Sequence, residues 1–140
     1  MKITVIDAQG GGMGKQVVTA IRKAYPDIDI TAIGTNSAAA TVMLKAGANR
    51  AATGENAAVV ASRNADVIIG PIGIVIADAL LGEVTPKMAV AIAQSPARKL
   101  FIPFNQCDNF IIGIQDLNMK NLIGCLMEEL DRMIKGERQC

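Results

Sequence analysis

Short apolar runs alternate with stretches of helical periodicity along this chain. Lys2–Ile6 is a compact run rich in β-branched residues, closed by Asp7 and a cluster of glycines, and it predicts a strand. In Met13–Tyr25, Val17, Val18, Ile21 and Tyr25 recur at helical spacing until Pro26 ends the pattern. Ile28–Ile33 predicts a second strand. Beyond Gly34, Asn36 or Ser37 caps a helix reaching Ala46, with Gly47 in the usual C-terminal position. Asn49–Ala52 predicts a short third strand, and Thr53 or Gly54 opens a helix ending near Asn64.

Ala65–Gly70 is a strongly apolar fourth strand, broken by Gly70-Pro71-Ile72-Gly73, and Ile74–Leu81 is read as helical. Thr85-Pro86 pairs a capping side chain with proline at the first helical position and starts a helix to Ser95. Lys99–Phe104 and Phe110–Gln115 predict fifth and sixth strands. The five residues between them are too few for a parallel crossover, so this pair is expected to form an antiparallel hairpin. Asn118–Lys135 carries Leu122, Leu126, Leu130 and Met133 on one stripe, which suits packing on the sheet or on a second subunit.

Strands alternating with helices imply right-handed crossovers and a sheet covered on both faces. The expected fold is α/β: a three-layer, Rossmann-like, doubly wound domain over residues 1–140. Its mainly parallel sheet has five to six strands, the last antiparallel. At 140 residues, 51% of them hydrophobic and 19% charged, the chain suits one domain with a real core. Aromatics are only 3%, so that core is aliphatic.

Charge and cysteine usage narrow the function classes. The formal net charge is +1, Lys and Arg are scattered, and Trp is absent, which argues against a nucleic-acid partner. Cys107, Cys125 and Cys140 are widely spaced and there is no His, so no metal site is expected. Reduced thiols fit a cytoplasmic protein. Met1-Lys2 leads directly into a strand pattern rather than a signal peptide. The apolar stretch Ala65–Gly82 contains Asp66, Asp78 and Pro71, so a buried strand and turn explain it better than a membrane span.

The sharpest feature is Asp7-Ala8-Gln9-Gly10-Gly11-Gly12-Met13-Gly14-Lys15, set between a strand and an amphipathic helix. Glycine lets the backbone approach a ligand, and the helix start offers free N–H donors at the positive end of its dipole. Lys15 adds a charge. No standard template fits throughout. For G-x-G-x-x-G, Gln9 stands at the first glycine; for the short-chain-dehydrogenase spacing, Ala8 does. For the phosphate-binding P-loop, Gln9 replaces the first glycine and Gln16 the Ser/Thr that holds magnesium. The acidic residue that binds a ribose after the second strand is also missing, and Thr35, Asn36 and Ser37 stand there instead. Tight strand–helix packing explains one glycine in this loop. Four in five positions point to binding.

Ligands of such sheets lie beyond the carboxyl ends of the strands. The candidate cofactor-binding residues are therefore Asp7, Gln9, Gly10, Gly11, Gly12, Met13, Gly14 and Lys15, with Thr35, Asn36 and Ser37, and Gly70, Pro71 and Gly73 as an opposite wall. Asp7 either orients ligand hydroxyls or caps loop amides. Gly70–Gly73 is equally read as a tight turn. Cys107 lacks a base and reads as a passive thiol, and Asp78 as a local capping or pairing group.

Nearly the whole chain resembles a small bacterial family of uncharacterised proteins, a domain of unknown function. The residues that carry the resemblance are D-A-Q-G-G-G-M-G-K (Asp7–Lys15), G-T-N-S (Gly34–Ser37), T-G-E-N (Thr53–Asn56) and G-P-I-G-I-V-I-A (Gly70–Ala77). It implies a Rossmann-like fold and a nucleotide site, without a reaction. The family pattern is expected to have glycine where this chain has Ala8.

The expected function is binding of a small anionic or nucleotide ligand, NAD(P) or an adenine nucleotide, without a metal or a membrane. A homo-oligomer is expected. Two alternatives stand beside it: a homodimeric nucleotide-dependent enzyme with its site between subunits, in which Lys15 stabilises negative charge, and a scaffold protein with a vestigial pocket.

Overall fold

The computed structural model describes residues 1–104, 109–115 and 118–136. Among these residues five strands and five α-helices follow one another in the order β1 (Lys2–Asp7), α1 (Gly12–Ala24), β2 (Asp29–Gly34), α2 (Ser37–Ala46), β3 (Arg50–Thr53), α3 (Glu55–Asn64), β4 (Val67–Pro71), α4 (Pro86–Gln94), β5 (Arg98–Ile102) and α5 (Met119–Ile134). The sheet order is β3-β2-β1-β4-β5 and every pairing is parallel. This is a Rossmann-like α/β sheet, and its order reverses between β1 and β4.

Strand alternation sorts the core onto two faces. Ile3 and Val5 of β1, Ile30 and Ala32 of β2, and Val67 and Ile69 of β4 pack against Val17, Val18 and Ile21 of α1, Met43 of α2, and Leu126 and Leu130 of α5. Ile6, Ile33 and Ile68 face the other way, against Ala58 of α3 and Met88, Ala89 and Ile92 of α4. The stripe on α5, with Leu122 and Met133 partly buried beside Leu126 and Leu130, is thus used within the chain.

Local signals act as the sequence implies at several termini. The Asn36 side chain accepts the Ala39 amide at 2.9 Å and Thr85 accepts that of Met88 at 3.2 Å, each capping a helix. The stretch after α1 is tied by Arg22. Its Nε donates to the Gly47 carbonyl at 2.9 Å, one terminal nitrogen donates to the carbonyls of Pro26 and Ile28 at 2.7 and 2.8 Å, and the other donates to Asn49 Oδ1 at 2.7 Å. The Tyr25 hydroxyl donates to Asp131, joining the end of α1 to α5.

Three expectations are corrected. The last strand is parallel, not antiparallel: β5 is reached from β4 through α4, an ordinary crossover, and pairs Ile69 with Leu100 and Pro71 with Ile102. Residues 110–115 form no sixth strand. Phe110 and Ile112 are exposed there, so no buried face sets a register, and Gly113 turns the chain at φ +89°. The helix expected over Ile74–Leu81 is replaced by a 3-10 turn, Ile72–Val75, and a series of tight turns. Asp78, Leu80 and Leu81 adopt positive φ (65°, 57° and 59°), which no right-handed helix can contain.

Candidate functional site

The glycine-rich loop leaves β1 at the point where strand order reverses, which is where ligands of this fold class lie. A cavity of about 130 Å³ opens there, lined by Asp7, Ala8, Gln9, Gly10, Gly11, Gly12, Met13, Pro71, Leu80 and Phe104. Drug-sized ligand pockets begin near ~300 Å³, so this space takes one phosphate- or ring-sized group. Larger hollows lie elsewhere, including one of about 570 Å³ between α3 and α4, but none of them is lined by the glycine-rich loop.

The four loop glycines fall into two kinds. At Gly11, φ is +74° and an added Cβ would lie 2.8 Å from the Ala39 Cα, so α2 sits on it directly. At Gly14 the added atom would collide with the Met43 sulfur and approach the Asp7 Cβ at 3.0 Å. Helix packing accounts for both. At Gly10 and Gly12 an added Cβ meets nothing within 4 Å, and both residues are exposed. Packing does not account for them.

Asp7 organises the loop from inside. It is buried, its Oδ1 accepts the Ala8 amide at 2.8 Å and its Oδ2 accepts the Gly14 amide at 2.7 Å. Burial pushes its carboxyl above the ordinary range, against the two amide hydrogen bonds, and the nearby Glu83 charge adds to the rise. The Gly11 amide is turned back to the Ala8 carbonyl at 3.0 Å, and that of Lys15 bonds the Gly11 carbonyl at 2.8 Å. Among the described residues, the amides of Gly10, Gly12 and Met13 have no acceptor. Three donors at the start of α1 therefore remain for an anion.

The turns after residue 75 supply a residue that sequence reasoning did not single out. Leu80 and Val84 are buried in the core, and between them Glu83 reaches back over the ends of β1 and β2. Its Oε1 accepts the Asn36 side-chain amide at 2.7 Å, the Thr35 hydroxyl at 2.8 Å and the Gln9 backbone amide at 3.0 Å. Asn36 also donates to the Gln9 carbonyl at 2.9 Å, and Gln9 adopts φ 51°. Burial opposes the charge on Glu83, but the hydrogen bonds from Thr35, Gln9 and Asn36 together outweigh it and hold its carboxyl below the ordinary value. An isolated carboxylate in an apolar stretch is the one signal of it in the sequence.

The other expected residues separate in space. Thr35 and Asn36 meet Glu83 rather than lining the cavity, and Ser37 begins α2. Pro71 forms the opposite wall. Gly70 serves packing, because an added Cβ would strike the Ile6 carbonyl, and Gly73 is buried in the 3-10 turn. Lys15 is exposed on α1 and outside the lining. Ala8, where glycine is expected in the family pattern, is buried against the face of the sheet that carries α3 and α4. Leu80 and Phe104 are lining residues that the motif reading did not include. Cys107 and Cys140 lie outside the described residues, and Asp78 is exposed in the turn region.

Among the described residues no group of three or more metal-binding side chains occurs, and no helix is long and apolar enough to cross a membrane. No curated protein matches the chain. Among solved structures, a dodecameric FMN-dependent UbiX-like decarboxylase from Escherichia coli O157:H7 shows a distant likeness. The identity is 16% and the TM-score 0.48, over 91% of this chain and 76% of that one. The sequence profile of the domain of unknown function DUF3842 matches residues 2–135, and the chain belongs to that family.

Proposed function

We propose that the glycine-rich loop binds the phosphate of a nucleotide, either NAD(P) or an adenine nucleotide, on the amides of Gly10, Gly12 and Met13. One observation carries this reading. At Gly10 and Gly12 no packing demand explains the missing side chain, and among the described residues the amides of Gly10, Gly12 and Met13 are the loop's free donors. A phosphate fits the roughly 130 Å³ cavity; the remainder of the ligand lies along the open crest of the sheet.

Binding is better supported than complete catalysis. Among the described residues the cavity lining holds one titratable side chain, Asp7, and both of its oxygens already accept loop amides. Lys15 is not among the lining residues, so nothing in the cavity supports assigning it charge stabilisation in a transferase. Self-association has a separate support in Leu81, Phe110 and Ile112, which are 94%, 74% and 90% exposed.

Thermal melts with NADH, NADPH, AMP, ADP, FMN and inorganic phosphate test the reading. A ligand at a hundred times its dissociation constant adds about 2.7 kcal/mol of stability, which is readily seen as a rise in Tm. The rise should vanish in Gly12→Val. An unchanged Tm with every ligand at millimolar concentration rejects the proposal.

A further inference from the structure

The usual ribose-binding acid after the second strand is absent, yet a carboxylate stands at that place. Glu83, delivered from the turns that follow β4, bonds Thr35 and Asn36 at the end of β2 and the Gln9 amide of the glycine loop. All three bonds fall on Oε1. Among the described residues, Oε2 accepts none. One oxygen is thus fixed by three donors while the other is unused, between the phosphate-binding loop and the crest beside it.

Resting on the nucleotide reading above, we infer that Glu83 reads the ribose of the bound nucleotide, accepting a hydrogen bond from its 2′-hydroxyl on Oε2. The chemistry fits a carboxylate acceptor held rigidly by a hydroxyl, a side-chain amide and a backbone amide. It also sets a specificity. A ribose with a free 2′-hydroxyl donates to this oxygen, whereas a 2′-phosphate brings negative charge against a carboxylate that has no neighbouring cation among the hydrogen-bond partners named. The site therefore selects NAD and adenine nucleotides over NADP. Thr35 and Asn36 act as positioning residues, since their donors fix the carboxylate.

Calorimetric titration of the wild-type protein tests this without altering the fold. AMP should bind about tenfold more tightly than 2′-deoxy-AMP, the effect of one hydrogen bond to a charged group, and NADH should bind more tightly than NADPH by at least as much. Both gaps should narrow in Glu83→Gln. Equal affinity for AMP and 2′-deoxy-AMP overturns the assignment while leaving the nucleotide reading in place. Tighter AMP binding by Glu83→Ala also overturns it, because the carboxylate would then be an internal plug. If the wild type binds neither AMP, NADH nor phosphate, the nucleotide reading itself fails and the assignment with it.

Discussion

Asp7 and Gly14 are joined across the glycine loop: Asp7 Oδ2 accepts the Gly14 amide at 2.7 Å, from a carboxylate that is buried on the core side of the turn. The bond fixes the first turn of α1 against β1. Its cost is a buried charge, seen in the raised pKa of Asp7. A carboxyl whose pKa is higher folded than unfolded binds protons more readily in the folded state. Its contribution to stability therefore falls as pH rises from the ordinary value of 3.8 through the folded value. Asp7→Asn has no such titration. Urea unfolding between pH 6 and pH 4 should show the wild type gaining stability relative to Asp7→Asn as pH falls. A constant difference, or one moving the other way, would contradict the assignment.

The two kinds of glycine make opposite predictions. Gly11→Ala places a side chain at φ +74° against the backbone of α2 and should cost about 1–3 kcal/mol. Gly12→Ala meets open space at the first position of α1 and should be neutral or up to about 0.5 kcal/mol stabilising. Denaturant midpoints compare them directly. A large loss at Gly12 would mean that packing, not binding, explains that glycine.

Arg22 ties the connection between α1 and β2 to the loop after α2. Removing it strands three carbonyls and releases Asn49 Oδ1, which also accepts the Ile30 amide at 2.8 Å. Arg22→Ala should cost about 2 kcal/mol, and Arg22→Lys should recover less than half of it, because one ammonium cannot reproduce the planar fork. A loss under about 0.5 kcal/mol in equilibrium unfolding would show these bonds to be replaceable by water.

Leu81 combines a φ of 59° with 94% exposure, so its side chain contributes strain and no burial. Leu81→Gly should raise stability by about 0.5–1 kcal/mol, the left-handed penalty less the extra entropy of glycine. A destabilised variant would point instead to a contact made by Leu81 in an oligomer. Sedimentation of the two proteins would identify that contact.

The parts of the fold visible in the sequence are those built by local chemistry. Asn36 and Thr85 cap helices where their spacing implies, and the period-two and period-3.6 patterns mark the strands and helices on either side of them. What escapes is long-range. The segment after Gly73 has helical composition, but burying Leu80 and Val84 while turning the chain back puts Asp78, Leu80 and Leu81 in the left-handed region, which neither leucine favours. Residues 110–115 have the composition of a strand but no buried face to hold one. The same limit hid Glu83, which is 47 residues from Asn36 in the chain and adjacent to it in space.

The central claim is that the free amides of the glycine loop hold a phosphate. Titrating the ¹⁵N-labelled protein with AMP and following its amide resonances tests it most directly. Large, saturable and mutually consistent shifts are expected at Gly10, Gly12 and Met13, with little change at Gly14, whose amide already serves Asp7. Saturable binding that leaves Gly10, Gly12 and Met13 unmoved would contradict it, as would no binding at millimolar AMP.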